Sequence, residues 1–468
     1  MRILLIPSFN IINGRIHPYV PYGLLALQAI SVDSKQFVVD IAEPPREMLA
    51  MTFSCSEEVS ECFLEHTDTY GYDIYAISTI CDSAHYSIDI AKQLKNLYPK
   101  SWVVMGGPYV TKLAESILAA FSFIDAIFVG EGEVSFQLLT NRPFNKSFPF
   151  DGIPGVRTRH ATFISGNIID ELDLLPFITK APDYFHFVNK VKEHDRDSFA
   201  IPLEATRGCP LQCSFCSTRQ IWGSNVRRKS ARRLLDEMRI INHVTQETFF
   251  SLIGDNVGVP VKQFMEFCDG MIKEGNLYKW AISLKLDWIK KEHLQKMWEA
   301  GCRGLFIGVE SASQETLRKV NKSANLQKEI DAIKTAIELG FQVETSLIIG
   351  FPWETESDVK QTYDLHCDFL TLGARRSQVI ILCPIPGTEI VKNQVVCFDK
   401  WNSNLNQDNI TLSPHHVEMV KTHPELFAHF GHYKTPNIPR RILRAYRDAA
   451  AQVAGLHIKH NKKLVVAK

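Results

Sequence analysis

Thr206-Arg207-Gly208-Cys209-Pro210-Leu211-Gln212-Cys213-Ser214-Phe215-Cys216 gathers three cysteines at spacings of four and three, directly after a strand-like run at 202–207. Three thiolates on one loop can converge on three corners of a 4Fe–4S cubane and leave the fourth iron open to a substrate or cofactor. A structural zinc site is the main metal alternative, but it normally takes four ligands, often as C-x2-C pairs. No fourth ligand lies on this loop, and the next cysteine along the chain is Cys268. A disulfide with one spare thiol is a further alternative and fits a reducing compartment poorly.

From this loop toward the C-terminus, strand-like runs at 202–207, 249–254, 280–286, 304–309, 343–349 and 377–382 alternate with helical patterns. The helices fall near 231–243, 261–274, 291–300, 327–339 and 357–371. Such a series predicts a complete or partial parallel barrel, with active-site residues at the C-terminal strand ends. The cysteine loop falls at that end. So do Gly254-Asp255-Asn256, Gly308-Val309-Glu310-Ser311 and Gly350-Phe351-Pro352. Glu310 can accept hydrogen bonds from hydroxyls or an ammonium group, or be a plain exposed carboxylate. Gly350-Phe351-Pro352 suits a simple turn nearly as well as a ligand contact. Lys285 and Asp287 suit either a cavity or a surface ion pair. The basic run at 227–233 reads better as a solvated helix start than as an anion site. Cys383 ends the sixth strand and can face the cavity or serve as a small buried hydrophobe. Cys302 and Cys367 read as structural cysteines on helical stretches. Beyond Pro386 the rhythm is lost, and an amphipathic helix is expected near 439–453 within a small cap.

Toward the N-terminus, short apolar runs at 2–8, 37–42, 73–79, 102–106 and 125–130 are separated by helical patterns at 22–30, 84–97 and 112–121. This predicts a doubly wound parallel sheet whose ligand crevice lies beyond the strand carboxyl ends. Ser78-Thr79, Gly106-Gly107-Pro108 and Gly130-Glu131-Gly132 fall there. They are candidates to cradle a cofactor, although glycines also simply make tight turns. Between 146 and 200 the alternation stops, with a hairpin expected over 155–169 and a connector over 172–184. The expected organisation is therefore α/β throughout: a first unit at 1–145, a linker at 146–200, a barrel at 201–387 and a cap at 388–468.

Lys+Arg and Asp+Glu number 52 each, so no overall field draws the chain to nucleic acid or anionic lipid. The N-terminal apolar stretch lacks a signal-peptide pattern, and no run approaches the ~18 apolar residues of a membrane span. The eleven cysteines form only one close group, which fits a cytoplasmic protein better than a disulfide framework.

C-x3-C-x2-C after a first barrel strand resembles the signature of the radical S-adenosylmethionine (SAM) superfamily. Matching segments follow in order: Phe215 resembles the aromatic residue near the adenine, and Glu310 with Ser311 the motif contacting ribose and methionine. Gly350-Phe351-Pro352 resembles the adenine support. The resemblance implies a cluster held by Cys209, Cys213 and Cys216, SAM chelated at the open iron, and a 5′-deoxyadenosyl radical. It also implies an electron donor such as a reductase, flavodoxin or ferredoxin. Many relatives carry paired acidic residues where only Asp255 stands here. Pro21-Tyr22-Gly23-Leu24-Leu25, Gly106-Gly107-Pro108 and Gly130-Glu131-Gly132-Glu133 resemble the cobalamin-binding-type domain fused ahead of many such barrels. That architecture implies methyl transfer from methylcobalamin to an unactivated carbon or phosphorus of a small-molecule or peptide substrate. The D-x-H-x-x-G sequence of histidine-ligated cobalamin proteins is absent, and neither His17 nor His85 is assigned to cobalt. Two other outcomes stand beside it: a radical peptide epimerase with Cys383 as hydrogen-atom donor, and a non-enzymatic iron–sulfur carrier or sensor.

Overall fold

A computed structural model describes the chain except residues 143–148, 167, 195–198, 323–324, 399–409 and 467–468, and the side chains of 287 and 459–466. The first sheet contains β1 (Arg2–Ile6), β2 (Val38–Ile41), β3 (Ile74–Ser78), β4 (Trp102–Gly106), β5 (Ala126–Phe128) and β6 (Val156–Thr158). Their spatial order is β2-β1-β3-β4-β5-β6, all parallel except β6, which runs antiparallel to β5. Ile3, Leu4, Leu5 and Ile6 are all buried, as a strand covered by helices on both faces requires. The order reverses between β1 and β3, which opens a crevice at their carboxyl ends. The hairpin expected over 155–169 pairs no second strand among the described residues, although Gly155 N–H donates to the Ile164 carbonyl at 2.9 Å. Its first part becomes β6, where Val156 packs into the apolar cluster that also holds Phe128, Phe136 and Phe150.

The second sheet contains β7 (Ile201–Glu204), β8 (Phe249–Ile253), β9 (Lys279–Leu284), β10 (Cys302–Glu310), β11 (Gln342–Ile349) and β12 (Arg376–Ile381). They lie in sequential order and are all parallel, with helices between them. Among the described residues β7 and β12 do not pair, so the sheet is a partial barrel. Trp280 sits fully buried in its core, its indole N–H donating to the Ala300 carbonyl at 2.9 Å. Cys302 opens β10 rather than lying on a helix; it is buried, whereas Cys367 lies on the helix Glu356–Thr371. Two residues beyond β7, Thr206–Arg207 pairs antiparallel with Arg227–Arg228 and so closes the base of the cysteine loop.

The C-terminal region is shared between the two units, part of it packing on the first unit and part on the barrel. Helix Pro414–Thr422 returns to the first unit, where Thr411 bridges Cys55 and Ser413 N–H donates to Ser56 Oγ at 2.8 Å. The last helix, Arg440–Val466, is longer than expected and packs along β12 and Glu356–Thr371. Its Leu443 presses on Gly350, where a side chain would come within 3.1 Å of it. Among the described residues no helix is long and apolar enough to cross a membrane.

Candidate functional site

The carboxyl ends of both sheets carry neighbouring cavities, and the short helix Thr218–Trp222 after the cysteine loop stands between them. Thr218 and Arg219 line one; Ile221 and Trp222 line the other.

The first of these cavities, about 200 Å³, is bounded by Cys209, Cys213 and Cys216, with Phe215, Asp255, Asn256, Lys285, Glu310 and Lys322. Cys62, Cys268, Cys302 and Cys383 are buried elsewhere, whereas these three thiols are partly open. Burial raises the Cys209 thiol, and it raises Cys213 to about 11 although nearby Lys322 pulls the other way. Among the described residues no three His, Cys, Asp or Glu side chains close on a single ion, and the three cysteines line one shared cavity. A polynuclear cluster fits that donor set. Glu310 stands at the end of β10 with φ +73°, and its carboxylate accepts from Lys322 at 3.0 Å. A buried anion and cation side by side also fit the ammonium and carboxylate ends of an amino acid. Lys322 was not singled out in the sequence, because a lysine in a helix-to-helix turn ordinarily signals a solvated surface.

Asp255 secures the loop from below. Its carboxylate accepts from Gly208 N–H at 2.9 Å and Thr218 Oγ at 3.0 Å, so it ties together the two ends of the cysteine segment. Burial raises its pKa, and those two donors act to lower it. Phe215 meets Phe351 edge-on at 6.1 Å, and Phe351 stacks on Trp353. Ser311 and Gly350 do not line the cavity. Ser311 Oγ accepts from Ser313 N–H at 3.1 Å; Gly350 N–H and Phe351 N–H both donate to Glu354. Lys285 is buried and lines the cavity, which removes the surface ion-pair reading; the Asp287 side chain lies outside the described residues. The run at 227–233 is not a solvated face either, since Arg227 pairs with Glu131 and Lys229 with Glu237, all buried.

The second cavity, about 320 Å³, lies over the crevice of the first sheet and is mainly apolar. Ser8, Tyr22, Gly23, Ser78, Gly106, Gly107, Gly130 and Glu131 contribute to its wall. A side chain added at Gly23 or Gly130 would meet no atom within 4 Å, so both leave open space against the cavity. Gly107 is needed for another reason: φ is +104° and a Cβ would fall 2.8 Å from the Thr79 carbonyl oxygen. Thr79 itself is buried behind the wall. A glycine-edged apolar slot fits a broad ring system. His85 is sealed among Tyr86, His416 and Phe430.

Cys383 is only 8 % exposed and lines neither cavity. Its thiol, raised by burial, lies 3.7 Å from the His429 carbonyl beneath the returning C-terminal segment. Placed there, it does not favour the hydrogen-donor role.

Residues 203–366 match the family model described as the radical SAM superfamily. The chain is 27% identical over 351 residues to an uncharacterised methyltransferase of Pyrococcus horikoshii, covering 73% of this chain and 74% of that one. It is 28% identical over 347 residues to the anaerobic magnesium-protoporphyrin IX monomethyl ester cyclase of Cereibacter sphaeroides, covering 70% and 55%. In fold it resembles the radical SAM methyltransferase TsrM of Kitasatospora setae, solved with tryptophan and a SAM analogue. That likeness has a TM-score of 0.65 at 16% identity and covers 83% of this chain and 74% of that one. The cysteine loop, the partial barrel and these matches agree: the chain is an enzyme with a radical SAM domain at 203–366, similar along most of its length to an uncharacterised methyltransferase.

Proposed function

We propose that this enzyme performs cobalamin-dependent methylation of an unactivated carbon or phosphorus centre. The observation that carries the reading is the pair of neighbouring cavities, one ringed by three thiols and the other walled by glycines, with one short helix between them. When bound, a 4Fe–4S cluster with SAM supplies a 5′-deoxyadenosyl radical for hydrogen abstraction, and a methylated cobalamin supplies the methyl group.

In this reading Cys209, Cys213 and Cys216 ligate the cluster, and Asp255 holds their loop in shape. Lys322 and Glu310 would orient the zwitterionic end of SAM, and Phe215 would contribute an apolar contact to its adenine. Gly106, Gly107 and Gly130, with Ser78, form the floor for cobalamin, while Ile221 and Trp222 exclude water from that cavity. The two units at 1–145 and 201–387 thereby face each other across the substrate. Radical epimerisation is not favoured, because Cys383 lines neither cavity. A pure electron carrier has no use for a second cavity of this kind.

Cobalt and iron content after anaerobic reconstitution with iron, sulfide and hydroxocobalamin tests the reading. Near-stoichiometric cobalt beside a 4Fe–4S spectrum is expected. A cluster without cobalt would overturn the cobalamin role and leave radical SAM chemistry intact. Replacing Cys209, Cys213 and Cys216 with alanine is expected to abolish 5′-deoxyadenosine formation; continued turnover would remove the cluster assignment.

A further inference from the structure

A knot of five charged side chains is packed where the first sheet meets the cysteine loop. Arg207, two residues before Cys209, donates from Nη1 to Glu131 at 3.0 Å and from Nη2 to Glu133 at 2.6 Å. Its Nε and Nη2 also reach Glu204 at 2.8 and 3.0 Å. Arg227 takes the other oxygen of Glu131 at 2.5 Å and donates to the Ile169 carbonyl. Burial alone would lower the Arg207 guanidinium; Glu204 and Glu133 outweigh it, and the net direction is upward.

Two features make this more than an ordinary interface contact. Burying several charges carries a desolvation cost that often cancels their attraction, so net stability is a weak reason for such a knot. What a guanidinium fork adds is direction, because each N–H fixes the placement of one carboxylate. The knot also joins the walls of both cavities. The Arg207 guanidinium lies over the Trp222 ring, which lines the glycine-walled cavity. The next residue, Gly208, is held by Asp255, which lines the thiol-ringed one.

We propose that Arg207 is a positioning residue: clamped by Glu131, Glu133 and Glu204, it sets the separation of the two cofactor cavities without touching either cofactor. The proposal rests on the two-cavity reading above. Units that share an apolar contact still need a directional element to fix their spacing, because apolar packing is non-directional. A hydrogen-atom abstraction and a methyl transfer to the same centre need both cofactors held at one spacing. Glu131, whose two oxygens are both committed to arginines, then serves the cofactors through the clamp rather than as a ligand contact.

The test uses the full-length chain, anaerobically reconstituted with iron, sulfide and hydroxocobalamin. Two variants are compared with the parent: Arg207→Lys, which keeps the charge but loses the fork, and the combination Arg207→Met, Glu131→Gln and Glu133→Gln. The combination removes the clamp and leaves Glu204 and Arg227 to balance each other, so it remains informative if Arg207→Lys folds poorly. Spin labels on genetically encoded residues at exposed Leu97 and Leu277, one on each unit, report the inter-unit distance by pulsed EPR. The magnetic interaction between cob(II)alamin and the reduced cluster reports the separation of the cofactors.

Arg207→Lys is expected to retain iron and cobalt at the parent level, and in both variants the label distance distribution widens roughly twofold and the cobalt–cluster interaction weakens. An unchanged distribution in a fully loaded variant would overturn the proposal. So would loss of cobalt with an unchanged distribution, since that would make Glu131 a binding residue. If the parent takes up no cobalt, the cobalamin reading falls, and the label distances still decide whether Arg207 is a clamp.

Discussion

At the scale of single residues, Asp255 does the work of holding a reactive loop in shape. A half-buried carboxylate accepting two hydrogen bonds contributes up to about 3 kcal/mol for each, and both donors flank the cysteines. Asp255→Ala is therefore expected to lower retained iron several-fold after desalting, with Asp255→Asn in between. Equal iron in all three proteins would show that the loop needs no staple. Cys383 makes the opposite case. Because its thiol is sealed against the His429 carbonyl, Cys383→Ala is expected to leave 5′-deoxyadenosine formation and product distribution unchanged. A product arrested after hydrogen abstraction would restore the donor role.

At the scale of an element, the turn after β11 shows how a strand end is kept rigid. Gly350 has φ +89°, and Glu354 gathers the Gly350 and Phe351 N–H groups at 2.7 and 3.0 Å. Burial raises Glu354 to about 7, and the two N–H donors only partly oppose this. The folded protein therefore holds this proton more tightly than the unfolded chain, so stability from this group is lost as pH rises from about 4.5 to 7. Glutamine keeps the acceptor and removes the charge. The stability of Glu354→Gln relative to the parent, followed by thermal melts, is expected to climb between pH 5 and 8, toward a gain of roughly 3 kcal/mol at most. A difference that does not vary with pH would mean the carboxyl is not displaced.

At the scale of the whole molecule, the C-terminal segment locks the first unit through buried histidines. His416 Nδ1 lies 2.7 Å from Ser56 Oγ, and its ring meets His85 edge-on at 5.0 Å. Burial lowers His416 to about 4, with Asp89 opposing, and His429 to about 3; His85 is lowered as well. Each binds its proton less readily when folded, so the stability they contribute is present above about pH 6.5 and lost as pH falls toward 4. Acidification from pH 7 to 5 is expected to lower the melting temperature, and to do so less steeply in His429→Leu. Parallel slopes would exclude that ring as a source of the acid sensitivity. The histidines join distant stretches of chain, which explains why residues 410–430 of the expected cap close on the first unit.

The cysteine spacing, the alternation of apolar strands with amphipathic helices and the glycines at strand ends determined by themselves the two parallel sheets and the strand ends at which the cavities lie. Those signals are local: burial on both faces is visible in Ile3–Ile6 alone, and the helix 84–97 lies where its periodicity puts it. What only the tertiary structure decided are the pairings across long separations. Arg207 meets Glu131 and Glu133, Lys322 meets Glu310, and Arg227 and Lys229 leave an apparently solvated run to become buried partners. A charged residue in a sequence carries no sign of its burial, because its solvation depends on which distant backbone is laid against it. Ser311 and Thr79 make the same point in reverse. Each follows the end of a strand, yet each is sealed behind the cavity wall, since a one-residue step along a strand turns a side chain to the other face.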